Sequence, residues 1–331
     1  MTYVSTVRKR PAALLVALVA AVALILAGCS SGDSGSDAQD STSSGDWPRT
    51  FKNSDGTTTE IPSQPKNILS TSVSVTGTLL AIGAPVTTTA SDANGEFFPQ
   101  WAGAADKAGV QKAWPAGSPD IEAAIAAAPD LIVVAATGQD AMVDNVAELQ
   151  DIAPTIVVDY GAQTWQDLAT ELGEATGLEK QAQTAVDEFD ALVADTASAI
   201  TVPEGEADIV SYRGPGGSNP IGRAGGPHGS LLKALGFTIE EPNSAWHNQP
   251  KPREDFVFAD YEHLTELTAG TTFVLSADNA KARSGFAADK VLANLPSVKN
   301  NQVYGLGTNS FRMDKYSATE IVEGVRANFG K

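Results

Sequence analysis

Arginine is unevenly distributed along this chain of 331 residues. None occurs between Arg49 and Arg213, and the chain as a whole is strongly acidic, with a formal net charge of −18. Six arginines lie from residue 213 onward: Arg213, Arg223, Arg253, Arg283, Arg312 and Arg326. A guanidinium group is always charged, donates paired hydrogen bonds to oxyanions and stacks on aromatic rings. This distribution predicts that the second half of the chain presents positive charge to an anionic ligand.

Four of these arginines are candidate ligand contacts, namely Arg312, Arg223, Arg253 and Arg213. Arg312 is the first choice, because it ends the loop Gly-Thr-Asn-Ser-Phe-Arg between a predicted strand and the last predicted helix. The alternative for each is an ion pair with a neighbouring acid on the surface, which contributes little. That alternative is favoured for Arg326, which falls on the last predicted helix.

Aromatic side chains take the place of arginine in the first half of the chain. Phe97 and Trp101 lie in a segment that also contains glycine and proline, and Trp246 lies in the second half. Aromatic side chains in loops at the ends of strands can form the wall of a ligand site. We therefore predict that Phe97, Trp101 and Trp246 contact the ligand. Trp114 is expected to cover the core, and Trp165 to pack a helix against one lobe.

Patterns for metal binding and catalysis are weak in this sequence. The histidines are His228, His247 and His263, and their spacing is unlike that of zinc ligands. The glycine-rich stretch 214–229 lacks the signatures of a nucleotide-binding loop, and no Gly-x-Ser-x-Gly element occurs. We predict no catalytic residue, no metal ligand and no resident cofactor. A chain this acidic is also expected to have no nucleic-acid partner.

The N-terminal residues have the pattern of a bacterial lipoprotein signal. Basic residues 8–10 precede an apolar run that is shorter than the roughly 18 to 20 residues of a membrane span. The run ends in Leu-Ala-Gly-Cys29, which contains the only cysteine. We predict a signal peptide at 1–28, lipidation of Cys29 and a protein anchored outside the cytoplasmic membrane. A transmembrane helix or an uncleaved anchor is the alternative.

Residues beyond the signal divide into a tether and two lobes. Residues 29–48 are rich in Ser, Gly and Asp and are predicted to form a flexible, lipid-anchored tether. After them, short apolar runs alternate with helical patterns, which is typical of an α/β fold. We expect an N-terminal lobe at 49–163, an interlobe helical segment at 164–200 and a C-terminal lobe at 201–331.

Three segments of the first lobe recur in the same order in the second. The pairs are 77–83 with 229–236, 120–122 with 260–262, and 149–158 with 295–304. In the first pair each segment reads as a helix closed by glycine before a strand. Glu122 and Glu262 occupy matching places at two predicted helix starts. The repetition predicts two similar lobes.

The segment between the lobes has the pattern of a long helix. Residues 178–200 contain neither glycine nor proline, and their apolar positions fall on one face. A helix of about 20 residues spans about 30 Å. Lobes joined in this way are expected to move little, so that the cleft between them is largely preformed.

A set of short motifs from about Thr50 to the C terminus resembles a known family. The most specific are Gln302-Val-Tyr-Gly-Leu-Gly-Thr308, Phe311-Arg-Met-Asp314 and Tyr316-Ser-Ala318; others are Phe97-Phe98 with Gln100-Trp101, Pro129-Asp-Leu-Ile132 and Leu172-Gly-Glu-Ala-Thr-Gly177. On these motifs the chain resembles the iron-siderophore class of ABC-transporter solute-binding lipoproteins, and most of all the ferric enterobactin-binding proteins.

The resemblance implies a fold, a ligand and partners. The fold would be the class III periplasmic-binding-protein fold, with two Rossmann-like lobes joined by one long rigid helix. The ligand would be a ferric catecholate siderophore that brings its own chelated iron, so that no cofactor is needed. The partners would be a homodimeric or heterodimeric ABC permease and its ATPase, with Glu122 and Glu262 docking onto permease arginines.

Two positions depart from the family pattern, and two other functions stay open. Pro99 stands where the family often has arginine, and Gly222 lies where it often has an aromatic residue. A protein of the same fold could bind haem or cobalamin, and candidate haem ligands are His228, His247, Met142 and Met313. An extracellular enzyme would need a nucleophile or an acid–base pair in the cleft, and the sequence presents neither.

Overall fold

The computed structural model describes residues 46–331, in which two separate β-sheets carry the α/β pattern. The predicted signal peptide, Cys29 and nearly all of the predicted tether lie outside the described residues. None of the helices in the described part combines the length and hydrophobicity that a membrane span requires.

The strands run in chain order through both lobes. They are β1 (Arg49–Lys52), β2 (Thr58–Ile61), β3 (Ile68–Ser70), β4 (Val86–Ser91), β5 (Gln111–Pro115), β6 (Leu131–Ala135), β7 (Thr155–Val158), β8 (Glu206–Val210), β9 (Asn219–Gly222), β10 (Thr238–Ile239), β11 (Phe256–Ala259), β12 (Thr271–Val274) and β13 (Val303–Gly305).

The helices alternate with these strands. They are α1 (Val73–Ala81), α2 (Pro99–Ala108), α3 (Ile121–Ala127), α4 (Val146–Gln150), α5 (Trp165–Thr176), α6 (Glu179–Ala199), α7 (Pro227–Ala234), α8 (Asn279–Ser284), α9 (Pro296–Lys299) and α10 (Lys315–Phe329). Short 3-10 helices cover Val143–Asn145, Ser244–Trp246 and Tyr261–Glu266.

The N-terminal lobe contains a five-stranded sheet in the order β5-β4-β3-β6-β7. All of its neighbouring pairs are parallel. Strands of such sheets are covered on both faces, which explains why β6 is an unbroken apolar run that is buried at every position. The carboxyl ends of parallel strands share one edge, where ligand sites of α/β folds form.

The C-terminal lobe repeats four strands of this topology, has no counterpart of β5 and contains one addition. Strand β8 pairs in parallel with β10 and with β12, which pairs in parallel with β13. The order β10-β8-β12-β13 therefore corresponds to β4-β3-β6-β7. The addition is the antiparallel pair of β9 and β11, joined to the end of β8. The prediction of two Rossmann-like lobes is confirmed.

One of the matched segments differs between the lobes. Asp120 begins α3 and its carboxylate accepts a hydrogen bond from the Ala123 amide, at 3.1 Å. The matching Asp260 instead accepts one from the Asn248 side chain, at 2.7 Å, and provides no side-chain cap. The second segment forms the 3-10 helix Tyr261–Glu266.

The predicted long connecting helix is present as α6, after the shorter α5. Thr164 caps α5 through the Asp167 amide, and Gly177 ends it with a φ of 71°. Helix α6 has 21 residues, which correspond to about 30 Å. Its buried face includes Phe189, whose ring meets the edge of Trp165 at 5.0 Å. Trp165 thus packs the two interlobe helices on each other, and its packing against a lobe stays a prediction.

The first turn of α10 joins the two lobes. Asp314 caps α10 by accepting hydrogen bonds from the Tyr316 and Ser317 amides, at 2.9 and 3.0 Å. Its second oxygen accepts one from the Gln100 side chain of α2, at 3.3 Å. A Cβ atom at Gly77 of α1 would lie only 2.5 Å from that oxygen, so the position requires glycine. The C-terminal helix is therefore anchored on the N-terminal lobe.

Candidate functional site

Arg312 lies at the junction of the two lobes, in the loop between β13 and α10. Its Nη1 atom donates a hydrogen bond to the hydroxyl of Tyr160, at 2.7 Å. Tyr160 follows β7 of the other lobe and is 152 positions away in the chain. The first-choice arginine of the sequence is thus held at the place where a cleft between the lobes must form.

Tyr160 is held in turn by the buried carboxylate of Asp140, which is 3% exposed. The tyrosine hydroxyl donates to one carboxylate oxygen at 3.1 Å. The other oxygen accepts from the Ser72 hydroxyl at 2.5 Å and from the Ser74 amide at 3.1 Å. Ser72, Asp140 and Tyr160 follow β3, β6 and β7, so all three lie at the edge of the sheet that carries the carboxyl ends of the strands. Arg312 is hydrogen-bonded to this edge through Tyr160.

The protonation of Tyr160 agrees with these hydrogen bonds. Burial raises the pKa of Tyr160 to about 12, the charge of Asp140 acts in the same direction, and that of Arg312 opposes it. The hydroxyl therefore keeps its proton at neutral pH and can donate to Asp140 while it accepts from Arg312. A Cβ atom at Gly138 would fall 1.9 Å from this hydroxyl, so glycine is needed there.

The ring of Phe311 organises two arginines. The Cζ atom of Arg213 lies 5.8 Å from the ring centroid and that of Arg312 lies 5.5 Å from it. These distances allow cation–π attraction. The ring itself stacks on Phe256 at 5.3 Å, with 13° between the planes. We call Arg213, Phe311, Arg312 and Tyr160 the arginine cluster.

The other two candidate arginines already have acidic partners. Arg253 forms a two-pronged ion pair with Asp255, with distances of 2.7 and 2.5 Å. Arg223 pairs with Glu241 at 2.9 Å, and its Nε atom donates to the Arg253 carbonyl at 2.9 Å. Within residues 46–331 no carboxylate lies within ion-pair distance of Arg312 or of Arg213. Of the four candidate arginines, the two without an acidic partner among the described residues are therefore the two in the arginine cluster.

The predicted aromatic wall is only partly accessible. Trp101 is completely buried, so the expectation that it contacts a ligand is wrong for this conformation. It lies on the core face of α2, beneath the ring of Phe97 at 5.3 Å. Phe97 is half-buried, and the Lys112 amine lies 4.9 Å from its centroid. Trp114 is buried in the core, as expected.

The two departures from the family pattern have local structural reasons. Pro99 is the first residue of α2, where the missing amide and the fixed φ of proline are favourable. Gly222 ends β9, and a Cβ atom there would lie 3.0 Å from the Ile209 side chain. The backbone at residue 222 thus leaves no room for an aromatic side chain without a shift.

Trp246 and the two glutamates lie apart from the arginine cluster. The ring of Trp246 stacks on His263 at 5.2 Å, and its 3-10 helix contacts Arg223 through Ser244, at 3.1 Å. Glu122 and Glu262 are both exposed, one in the first turn of α3 and the other in the matching 3-10 helix. Ligand binding by Trp246 and permease docking by the glutamates stay predictions.

Three of the four candidate haem ligands are buried or hydrogen-bonded within the protein. His228 is buried, and its Nε2 atom hydrogen-bonds with the Ser310 carbonyl at 2.7 Å. His247 accepts from the Phe258 amide at 3.2 Å, and its other nitrogen pairs with the Lys251 carbonyl at 2.9 Å. Met142 is also buried. These side chains are committed to the fold.

A separate groove of about 230 Å³ lies between the interlobe helices and α7. Its lining comprises Thr164, Trp165, Gln166, Phe189, Asp190, Val193, Pro227, Ser230, Leu231, Ala234 and Met313. The lining is mainly apolar and includes no arginine, so this groove is unsuited to an anion.

The residues that sequence reasoning missed are Tyr160 and Asp140. Both follow strands of the N-terminal lobe at the edge where ligand sites form, and that position was a usable signal. Their pairing with Arg312 could not be read from the sequence, because it depends on how the lobes pack.

Comparisons with known proteins agree with this architecture. A family model described as periplasmic binding protein matches residues 68–309. The ferric enterobactin-binding periplasmic protein FepB of Escherichia coli is 37% identical over 295 residues, which cover 86% of this chain and 92% of FepB. The probable siderophore-binding lipoprotein YfiY of Bacillus subtilis is 26% identical over 287 residues, covering 85% of this chain and 86% of YfiY.

A solved structure gives the same result. The crystal structure of holo-ViuP has a TM-score of 0.84 and 48% sequence identity, and the match covers 86% of this chain and 96% of ViuP. The doubled α/β lobes, the connecting helix and these matches together show that the chain belongs to the periplasmic binding protein family.

Proposed function

We propose that this protein is the extracytoplasmic solute-binding component of an ABC importer for ferric catecholate siderophores of the enterobactin type. The observation that carries the proposal is the arginine cluster, where two guanidinium groups without acidic partners flank Phe311 at the junction of the lobes. The name of FepB, which gives ferric enterobactin as its ligand, supports the choice.

The chemistry of the cluster matches that of a ferric catecholate. Such a complex is an anion whose surface is made of aromatic rings and phenolate oxygens. Guanidinium groups can donate charge-assisted hydrogen bonds to the oxygens and stack on the rings. Arg312 and Arg213 supply this charge in the proposal, while Arg223 and Arg253, whose binding role stays a prediction, border the cluster.

The protein would act by binding and delivery, without catalysis. Iron would enter as a part of the siderophore complex, which is cargo, and no resident cofactor is proposed. Signal cleavage before Cys29 and lipidation of that residue would anchor the protein outside the cytoplasmic membrane. The lipoprotein YfiY offers a precedent for such an anchor in a related chain.

Delivery would require docking onto a dimeric permease with its ATPase. The two lobes present Glu122 and Glu262 on matching elements, and both carboxylates are exposed. We propose that each glutamate contacts a basic group on one permease subunit. The doubled arrangement supports the proposal, because a two-fold partner offers its contacts twice.

A ligand panel tests the proposed specificity. The soluble chain from Asp46 is titrated with ferric enterobactin, a neutral ferric hydroxamate, haem and cobalamin, with calorimetry as the readout. We expect the ferric catecholate to bind at least about a hundredfold more tightly than the others, since only it presents several phenolate oxygens and a high negative charge to the cluster. Equal affinity for the hydroxamate would contradict the proposal.

Variants locate the binding site within the same assay. Arg312→Ala is expected to weaken catecholate binding by about 1.5 to 3 kcal/mol, which is roughly ten- to a hundredfold. Arg283→Ala is the matched control, because Arg283 is an exposed arginine on α8, outside the cluster. If the two variants bind alike, Arg312 has a structural role only.

A further inference from the structure

The glycine-rich stretch 214–229, which carries no nucleotide-binding signature, has a structural task at its end. Gly226 precedes α7, and a Cβ atom there would lie 2.9 Å from the Asp255 carbonyl oxygen. Gly229 belongs to the first turn of α7, where a Cβ atom would collide with the Arg223 carbonyl oxygen. The two glycines therefore let the start of α7 lie directly against the backbone of residues 223 and 255. His228 is held between them.

The buried side chain of His228 is hydrogen-bonded on one side only. Its Nε2 atom lies 2.7 Å from the carbonyl oxygen of Ser310, which can only accept, so Nε2 carries the proton. Burial lowers the pKa of His228, and the ring is therefore neutral at pH 7, with a lone pair on Nδ1. No hydrogen-bond partner for Nδ1 occurs among residues 46–331. The imidazole thus acts as a neutral donor toward Ser310.

Packing by itself does not account for a histidine at this position. An apolar side chain could fill the same space and would leave no nitrogen unpaired, whereas a buried polar atom without a partner is unfavourable. The bond from Nε2 to the Ser310 carbonyl is what an apolar residue could not supply. The role of His228 is therefore to be sought in the loop between β13 and α10.

Ser310 fixes that loop through three further groups. Its hydroxyl oxygen accepts from the Ser276 amide at 3.0 Å and donates to the Gly307 carbonyl at 2.7 Å, while its carbonyl accepts from His228. The next two residues are Phe311 and Arg312 of the arginine cluster. The backbone is thus held immediately before the residues that face the ligand in the proposed function.

The ring of His228 supports the same two residues from behind. It packs on Phe256, with 5.3 Å between the ring centroids, and Phe256 stacks on Phe311. Phe311 in turn lies within cation–π distance of Arg213 and Arg312. Contacts therefore lead from His228 to both guanidinium groups, although His228 is not a member of the arginine cluster.

We propose that His228 is a positioning residue of the siderophore site, whose Nε2–H group fixes the Ser310 backbone and thereby orients Phe311 and Arg312 toward the anionic ligand. The inference rests on the proposed function for the identity of that ligand, a ferric catecholate. A site that is ordered before its ligand arrives loses less conformational freedom on binding. Removal of the Nε2 donor should therefore weaken binding without removing any group that touches the ligand.

Two substitutions at this position separate the donor from the packing. His228→Met and His228→Gln introduce unbranched side chains of similar length and similar helix propensity. The glutamine amide can place an N–H group near the position of Nε2, whereas methionine has no donor. The difference between the two variants therefore measures the hydrogen bond to Ser310.

Thr59→Val is the matched control for the loss of a buried hydrogen bond. The Thr59 hydroxyl also donates to a carbonyl at 2.7 Å, that of Thr155. Thr155 is the first residue of β7, at the opposite end of the strand from Tyr160. This variant should lose stability without disturbing the arginine cluster, so it shows what destabilisation alone does to binding.

Each variant is prepared as the full chain and examined in two ways. Calorimetry with ferric enterobactin gives the affinity, and amide hydrogen exchange of residues 307–314 without ligand gives the order of the loop. We expect His228→Met to bind about three- to tenfold more weakly and to exchange roughly tenfold faster in this segment. His228→Gln and Thr59→Val should stay within about twofold of the wild type in both measurements.

The two measurements distinguish failure of the inference from failure of the proposed function. Equal affinity and equal exchange for His228→Met and His228→Gln would overturn the positioning role and leave catecholate binding intact. If the wild type binds no ferric enterobactin, while exchange in 307–314 is faster only in His228→Met, the proposed ligand is wrong and the positioning of the loop is supported.

A measurement on the wild type needs no stable variant at all. In the nitrogen NMR spectrum of histidine-labelled protein at pH 7, the His228 ring should be neutral and carry its proton on Nε2. Its resonance is the one that His228→Gln removes. A proton on Nδ1 would leave Nε2 without a hydrogen to donate to Ser310, and would overturn the proposal.

Discussion

At the scale of single residues, the cluster depends on how Arg312 is oriented. Its guanidinium group donates to Tyr160, and the tyrosine hydroxyl donates to Asp140, which is itself bonded to the start of α1. An arginine on a flexible loop would lose rotamer freedom when it binds a ligand, at a cost of about 0.5 to 1.5 kcal/mol. The hydrogen bond to Tyr160 removes part of that cost before the ligand arrives.

A single hydroxyl group tests this orientation. Tyr160→Phe keeps the ring and removes the group that joins Arg312 to Asp140. We expect ferric catecholate affinity to fall about three- to tenfold and the free energy of unfolding to fall by about 1 kcal/mol, the net value of a typical hydrogen bond. Calorimetry and denaturant titration measure the two effects.

The control for this substitution is Tyr304→Phe in the C-terminal lobe, where the Tyr304 ring lies 4.6 Å from that of Phe329 with 57° between the planes. That variant should bind the ligand like the wild type. If Tyr160→Phe also binds like the wild type, another contact orients Arg312.

At the scale of elements, the start of α10 combines a helix cap with an interlobe contact. Asp314 caps the helix, contacts Gln100 of α2 and lies against Gly77 of α1. Burial raises the pKa of Asp314 from 3.8 to about 6, although its hydrogen bonds from Ser317, Gln100 and Tyr316 lower it. At pH 7 the Asp314 side chain is therefore mostly ionised, although its buried surroundings favour the protonated form.

The raised pKa makes this contact sensitive to pH. Between about pH 4 and pH 6 the folded protein binds a proton that the unfolded chain does not, so this group's contribution to stability rises as the pH falls through that window. The whole effect is about 3 kcal/mol. Above pH 6 both states are ionised, and the contribution stays at its lowest value.

The substitution Asp314→Asn isolates this effect, because asparagine also caps helices and carries no charge. We expect the variant to be more stable than the wild type at pH 7 by up to about 3 kcal/mol, and the difference to vanish near pH 4. Denaturant titrations at several pH values measure both proteins, so that other titrating groups cancel. A difference that is constant with pH would show that the folded-state pKa is ordinary.

At the scale of the whole molecule, three connections hold the lobes together. Helix α6 packs on both α5 and α10. The first turn of α10 is anchored on α1 and α2, and Arg312 bonds across the junction to Tyr160. A hinge would need all of these contacts to change at once, and packed helices resist such movement.

We therefore predict that ligand binding changes the shape of the molecule very little. Small-angle scattering of the soluble chain with and without ferric enterobactin should give radii of gyration within about 1 Å of each other, as for other preorganised complexes. A decrease of several ångströms on binding would indicate hinge closure and contradict the rigid connection.

Much of this architecture was determined by the sequence, because its signals act over short distances. Parallel strands covered on both faces must be apolar runs, and helix ends need caps such as Thr164 and Gly177. The repeated segments predicted the matched topology, and the motif around Arg312 pointed to the correct family. Each of these features depends on a residue and its near neighbours in the chain.

Tertiary structure decided which of the candidate side chains remain available to a ligand. Trp101 became a core residue because α2 turns it inward, and Arg253 is neutralised by Asp255 only two positions away. Arg312 meets Tyr160 from 152 positions away. Composition and periodicity contain no information about such contacts, because these contacts are set by how sheets and helices pack across the whole chain.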